Sequence, residues 1–315
     1  MTRDERYIAR LIFKNKVYEC DKQAYEDLFV KVMQNANPNF LPVKPQGRYG
    51  DRKNDGFDKI TGKYYQVYAP EDLPSKEGKS IEKLNTDFTG LFKYWSERGF
   101  TIKEFYYVVN DKYKGIYPTL IADVFNISER NKIKAELIRS KNLEEIFLSL
   151  DEDKIIDIIG GFLPDPLAIQ EPDYDIMSEV VKYILTFEVN ETVEDIPDDP
   201  NFETKIIFNS LSKSVSEYLN AGRRQNYVIK EYFNLNSDFV KNELRIRFNS
   251  VYKEGLIEIP NSNTKNDELF FYILRQVSPY SKLGVHNAVY ILMAYYFEYC
   301  DIYETPELTN IGLFK

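Results

Sequence analysis

The chain has 315 residues, of which 43% are hydrophobic and 29% charged, and its formal net charge at pH 7 is −9. This composition is typical of a folded globular protein of one or two domains and excludes an intrinsically disordered chain. Phosphate binding needs a patch of unpaired lysine and arginine, so the acidic charge argues against a protein that wraps nucleic acid with its whole surface. A local basic patch or a basic partner would be required.

Two further features indicate the cellular compartment of the protein, and a third limits its metal chemistry. No apolar run approaches the roughly 20 residues that span a bilayer, and the N-terminal segment MTRDERYIARLIF lacks the apolar core of a signal peptide. Cys20 and Cys300 lie far apart in the sequence without metal-ligand spacing, which suits a reducing compartment. A single histidine, His286, excludes a metal cluster built from histidines. We therefore expect a cytoplasmic protein without a membrane segment.

The first predicted element that bears on function is a helix from Asp21 to Asn35, with Asp21 as its N-cap. Apolar residues recur along it at helical spacing, namely Tyr25, Leu28, Phe29, Val32 and Met33. Glu26 lies off this apolar stripe, where it is either a solvated surface acid or part of a site.

After this helix, proline and glycine force an irregular backbone over residues 37 to 52. Four basic residues within and directly after this stretch make it the most basic approach to the site and favour contact with a phosphate: Lys44, Arg48, Arg52 and Lys53.

A predicted hairpin follows, in which the turn pair Thr61-Gly62 separates two short segments. The second segment, YYQVYA, is dense in aromatic and β-branched residues. Asp55 stands near the start of the first strand, and Gln66 lies midway along the second, so the pairing brings their side chains close. Because strand side chains alternate, Gln66 and Tyr68 share one face, and Val67 points to the core.

An acid on one strand followed by Gln-x-Tyr on the next resembles the PD-(D/E)xK nucleases, including the Mrr-like enzymes, whose motif ends in lysine. Asp55 and Gln66 match the acid and the E/Q position, while Tyr68 stands at the lysine position. The resemblance implies a site for Mg²⁺, or Mn²⁺ as an alternative, held by Asp55, Gln66 and Glu71. It also implies a supporting role for Glu26, because these nucleases often carry an acid on the preceding helix.

The next predicted helix begins at Ser80 and ends before Gly99, with an apolar face that includes Leu84, Phe88 and Trp95. Lys83 lies in its first turn and off that face. It is either the displaced cation of the nuclease site, pointing back to the preceding strand, or a solvated lysine.

Beyond this helix, EFYYVVN at residues 104 to 110 predicts a central strand, and residues 119 to about 150 predict helix. We expect a nuclease-like domain over residues 1–150, a connecting region over 151–204 with prolines and an acidic run, and a helical assembly domain over 205–315. The predicted fold class is α+β, a small mixed sheet flanked by helices as in restriction endonucleases, followed by a mostly helical domain.

Residues 288 to 306, AVYILMAYYFEYCDIYETP, are apolar on nearly all sides. They have to be buried, either in their own domain or against another chain. With YFEYCDIYETP at its core, this segment resembles the C-terminal domains of effectors in ABC-three-component antiphage defence systems, the group that includes Lamassu. The block QVYAPED and residues 83 to 88 likewise resemble N-terminal domains of that group.

This second resemblance implies a set of partners. They are an SMC/Rad50-type ATPase that senses DNA, a small middle component, and DNA itself. Residues 205–315 would mediate self-association or a hetero-complex. Two hypotheses follow: an Mg²⁺-dependent DNA endonuclease effector that uses Asp55, Gln66, Lys83 and Glu26, or a catalytically inactive nuclease-fold subunit that works as a binding and assembly module.

Overall fold

The fold is α+β, as predicted: a small mixed sheet with flanking helices is followed by a mostly helical part. The structure is a computed structural model that describes residues 1–43, 54–71, 77–189, 201–299 and 301–306. The chain divides into two compact units. We call Met1 with residues 16–161 the sheet unit, and residues 2–15 with 162–315 the helical unit. Among the described helices, none combines the length and apolar character needed to cross a membrane.

The first helix, α1 (Arg3–Glu19), has residues in both units. The remaining elements of the sheet unit are α2 (Lys22–Ala36), β1 (Phe40–Pro42), β2 (Gly56–Asp58), β3 (Lys63–Tyr68), α3 (Glu77–Ser96), β4 (Glu104–Val109), α4 (Pro118–Asn131), β5 (Lys134–Arg139), α5 (Ser140–Leu148) and α6 (Glu152–Ile159). The strand order is β1-β2-β3-β4-β5. The first three strands are antiparallel, whereas β3, β4 and β5 are parallel.

Helices cover both faces of this sheet. On one face, Leu84 and Phe88 of α3 pack with α4 against Tyr64 and Tyr68 of β3. On the other face, Phe29 of α2 packs against the ring of Tyr65, and α5 packs beside α2. The predicted antiparallel hairpin is therefore confirmed as β2 and β3, and α2 and α3 flank the sheet that contains it.

The prediction of continuous helix from residue 119 to about 150 is wrong in its middle. Helix α4 ends at Asn131, the next residue Lys132 has a left-handed φ of 55°, and β5 then pairs in parallel with β4. Charged Lys134 and Glu136 alternate with Ala135 and Leu137, which is a strand period. At the edge of the sheet these charges reach solvent, so sheet pairing overrides the helix propensity of Lys, Ala, Glu and Leu.

The remaining elements belong to the helical unit. They are a short 3-10 helix (Pro166–Ala168), α7 (Tyr174–Leu185), α8 (Phe202–Phe208), α9 (Lys213–Arg224), α10 (Asn226–Leu235), α11 (Asp238–Glu258), α12 (Lys265–Gln276) and α13 (Leu283–Glu298). Helix α13 is the centre of this unit, packed by α7, α9, α10 and α12. Its residues 287–297 are all buried. This part of the apolar segment is therefore buried within its own unit, as one of the two predicted alternatives.

The two units differ from the predicted ranges 1–150, 151–204 and 205–315. Residues 2–15 belong to the helical unit, where Tyr7 Oη donates to Asp267 and Lys14 pairs with Glu268. Part of the predicted connecting region is also folded, because α7 buries Val180, among others, in the helical unit. Most of the acidic run, residues 190–200, lies outside the described residues.

Candidate functional site

The β2–β3 hairpin is held by Asp58 at the end of β2. Its carboxylate accepts hydrogen bonds from the amides of Ile60 (2.9 Å) and Thr61 (3.1 Å) and from Asn37 Nδ2 (3.0 Å). Burial alone raises the pKa of Asp58, but these hydrogen bonds outweigh burial and lower the pKa below its usual value. Gly62 closes the turn at a φ of +73°, which glycine adopts without strain. This turn sets the register of the two strands.

That register places Asp55 against Gln66. The Asp55 amide donates to the Tyr65 carbonyl (3.0 Å), and Asp55 Oδ2 accepts from Gln66 Nε2 (2.8 Å) and from the Val67 amide (2.5 Å). Both side chains are buried. Gln66 Oε1 is also buried, and it accepts no hydrogen bond from the described residues. The hairpin therefore brings together the carboxylate and the carboxamide that the sequence predicted as partners.

Tyr68 lies on the same face of β3 as Gln66 and is held from two sides. Ser80 Oγ donates to its hydroxyl (3.2 Å), and its ring stacks on Tyr107 with centroids 5.9 Å apart. Lys83 Nζ lies 5.9 Å from the centre of the Tyr68 ring. The lysine that the sequence suggested as a displaced cation therefore lies above the side chain that occupies the lysine position of the motif.

Asp87 is a site residue that sequence reasoning missed. Its buried carboxylate accepts a hydrogen bond from Lys83 Nζ at 2.7 Å. Tyr107, also buried, has a strongly raised pKa, first because of burial and then because of the charges of Asp87 and Asp55, among others. The negative charges of Asp87 on α3 and of Asp55 beside β2 therefore both raise the pKa of Tyr107. The spacing of four residues between Lys83 and Asp87 on a helix was the signal available in the sequence.

Other predicted site residues lie elsewhere or are not described. Glu26 is half-buried on α2, the helix that packs on β1 and β3. Glu71 is exposed and forms an ion pair with Lys22 at 2.6 Å. Lys44, Arg48, Arg52 and Lys53, the predicted phosphate contacts, fall outside the described residues.

The donor set can be compared with what Mg²⁺ requires. In the described part of the chain, no group of three or more His, Cys, Asp or Glu side chains could hold a metal. The oxygen donors that the hairpin supplies are the carboxylate of Asp55 and Oε1 of Gln66. Mg²⁺ often keeps several waters and takes one or two carboxylates together with substrate phosphates. This set fits such an ion when a phosphate and waters complete its coordination.

Comparison with known protein families concerns the helical unit. Residues 179–304 match the family model described as C-terminal domain 10 of the ABC-three component (ABC-3C) systems. The match supports membership of the chain in an ABC-three-component system. It agrees with the resemblance seen in YFEYCDIYETP, and an ABC-3C domain of this kind implies a multi-component complex. The ABC-3C match does not include the cluster around Asp55, and no curated protein or solved structure gives a significant match.

Proposed function

We propose that this chain is the nuclease effector subunit of an ABC-three-component antiphage defence system, an Mg²⁺-dependent DNA endonuclease with its site on the β2–β3 hairpin. The observation that carries the proposal is the contact of Asp55 and Gln66 across adjacent strands, with the Lys83 amine above Tyr68. An acid, an amide oxygen and a cation on one side of a hairpin are the groups that phosphodiester hydrolysis needs.

Each residue of the proposed site has its own chemical role. Mg²⁺, when bound, supplies Lewis acidity at the scissile phosphate and lowers the pKa of a bound water. The amides that donate to Asp55 Oδ2 fix its carboxylate, so the charge is already oriented before DNA arrives. Lys83 supplies positive charge beside the phosphate while water adds to phosphorus and the leaving oxygen departs with a proton.

The rest of the complex would supply DNA capture and control. A net charge of −9 leaves much of the DNA binding to a partner, for which we propose the SMC/Rad50-type ATPase, joined through a small middle component. The helical unit carries the ABC-3C domain, so contacts with partners or with a second copy are proposed for residues 205–315. Activity would then depend on the assembled complex.

The test compares the wild-type complex with Asp55→Asn, because asparagine keeps an acceptor for Gln66 Nε2 and the Val67 amide but removes the charge. We expect the wild-type complex to cut plasmid DNA in Mg²⁺. Asp55→Asn should lower the rate by about a hundredfold or more, and EDTA should abolish cleavage. Glu129→Gln on α4 is the matched loss of charge on the same unit and should leave the rate unchanged. Full cleavage by Asp55→Asn would show that the hairpin is not the active site.

One observation favours a second candidate function, a catalytically inactive nuclease-fold subunit that binds and assembles. Tyr68 stands where the motif has lysine, and its hydroxyl and ring are both occupied, by Ser80 and Tyr107. A wild-type complex that binds DNA and protects cells from phage, yet cuts no DNA with Mg²⁺ or Mn²⁺, would favour this candidate.

A further inference from the structure

We infer that Asp87 is a positioning residue of this site, which holds the Lys83 amine above Tyr68 so that helix α3 supplies the cation that strand β3 lacks. The inference rests on the proposed function, because the cation matters only where a phosphate binds. It assigns a role to a residue outside the D…Q-x-Y pattern.

The geometry of the pair shows that Asp87 fixes Lys83. Lys83 Nζ lies 2.7 Å from Asp87 Oδ2, and the carboxylate is only 1% exposed while the lysine side chain is 41% exposed. Lys213 and Glu217 have the same spacing on α9, but they are 3.8 Å apart and 88% and 54% exposed. An exposed pair of that kind is loose and contributes little. A buried carboxylate instead restricts a flexible amine to one place.

The position of Asp87 on its helix has an energetic consequence. It precedes Phe88 on the face of α3 that packs with Leu84 and Leu91 against the sheet. An ionised carboxylate at a buried position is unfavourable unless it is paired and hydrogen-bonded. The pair with the Lys83 amine offsets the cost of burying this carboxylate.

Asp87 holds the Lys83 amine on the face of β3 that carries Gln66. Tyr68 shares a face with Gln66, and Lys83 approaches that face from α3, whose first turn is also linked to Tyr68 through Ser80. Tyr107, the β4 neighbour of Gln66 in register, stacks on Tyr68 and lies in the field of both Asp55 and Asp87. The Lys83 amine lies over Tyr68, and Gln66 lies beside Tyr107 in register, so the cation and a proposed metal ligand each lie next to one of the two stacked tyrosines.

The first experiment uses genetic rescue in the assembled complex. Asp87→Asn and Lys83→Ala should each lower kcat by roughly tenfold to a hundredfold with little change in KM, and the double variant should be no slower than Lys83→Ala alone. Adding Tyr68→Lys to either variant should restore the rate, because the strand then carries the cation. The matched controls Glu82→Gln and Lys93→Ala, both exposed on α3, should match wild type. A wild-type kcat for Asp87→Asn would overturn the inference.

A second measurement does not depend on cleavage or on Tyr68→Lys folding well. The reaction of Lys83 with acetic anhydride is followed by mass spectrometry, with Lys93 as the internal reference. Asp87→Asn should speed labelling of Lys83 several-fold, whereas Glu82→Gln should not. With Ca²⁺ in place of Mg²⁺, a DNA duplex should slow acetylation of Lys83 in the wild-type complex. It should slow this reaction less in Asp87→Asn.

The two failures can be told apart. A complex that cuts no DNA, or that cuts at the full rate with Asp55→Asn, contradicts the proposed function. Labelling of Lys83 that is unaffected by Asp87→Asn, or unaffected by DNA in the wild type, contradicts the inference about Asp87. DNA protection of Lys83 that depends on Asp87 supports the inference even in a complex without cleavage.

Discussion

Gln66 Nε2 donates a hydrogen bond to Asp55 Oδ2 over 2.8 Å, and the amide of Val67 donates to the same oxygen. One carboxylate oxygen therefore satisfies two buried donors from the neighbouring strand. The same contact orients the proposed metal ligands and joins β2 to β3, so substitutions of Asp55 affect both stability and chemistry.

This double role makes a prediction about stability. Asp55→Ala removes the side-chain acceptor of the buried Val67 amide and leaves Gln66 Nε2 only its longer bond to the Val67 carbonyl (3.3 Å), so it should lower the free energy of unfolding of the sheet unit by about 2 kcal/mol. Asp55→Asn keeps an acceptor and should lose less than half as much. The only tryptophan, Trp95, lies on α3, so urea unfolding followed by fluorescence reports on this unit. Equal losses for the two variants would show that the contact with Gln66 does not stabilise the hairpin.

The sequence predicted the features that depend on residues close together in the chain, and it missed those that depend on residues far apart. The approach of Asp55 to Gln66 is predictable because the Thr61-Gly62 turn and strand alternation act locally. Strand β5 was missed because Lys134 to Arg139 form a strand only when β4 is beside them. Asp87 was missed because its importance depends on where α3 places Lys83 relative to Tyr68. The membership of residues 2–15 in the helical unit depends on contacts with α12, distant in the sequence.

The ion pair between Lys14 and Glu268 provides a second prediction. Glu268 is fully buried and also accepts from the hydroxyls of Ser262 and Thr264. Lys14→Met removes the cation from a buried carboxylate and should lower the free energy of unfolding by about 3 kcal/mol, the lower end for such pairs because the hydroxyls remain. Urea unfolding followed by far-ultraviolet circular dichroism measures the helices of both units, and Trp95 fluorescence in the same titration reports the sheet unit separately.

Lys213→Met serves as the control for that prediction, since its pair with Glu217 is exposed. It should change the free energy of unfolding by no more than about 0.5 kcal/mol. Similar effects of Lys14→Met and Lys213→Met would mean that residues 2–15 contribute little to the helical unit.

The close approach of α9 to α13 provides a third prediction. A Cβ added at Gly222 would lie 2.3 Å from the carbonyl oxygen of Tyr290, so the two helices would have to separate. Gly222→Ala should destabilise the helical unit by about 2 kcal/mol despite the better helix propensity of alanine. At Gly284 the nearest atom is the end of the Ile176 side chain, at 3.0 Å, so Gly284→Ala should be neutral or stabilising. A stable Gly222→Ala protein would contradict this packing.

The last prediction concerns the pH dependence of the helical unit and comes from Asp301, which is buried against Arg245 with Nε to Oδ1 at 2.5 Å. Burial raises the pKa of Asp301 to about 6, and the hydrogen bond and charge of Arg245 offset burial only in part. Between pH 4 and 6 the folded chain therefore binds this proton more tightly than the unfolded chain does. The contribution of Asp301 to stability is fully present below its unfolded pKa and is lost as the pH rises through about 6.

Asp301→Asn tests that sign, because asparagine is neutral at every pH and can still accept from Arg245. The difference in free energy of unfolding between variant and wild type should be near zero at pH 4. At pH 7 it should favour the variant by on the order of 2 kcal/mol. Circular dichroism in urea at a series of pH values measures this difference, and Asp175→Asn on the exposed start of α7 controls for loss of charge. A variant that is less stable than wild type at pH 7 but not at pH 4 would show that the ionised pair with Arg245 stabilises the fold, contrary to the raised pKa.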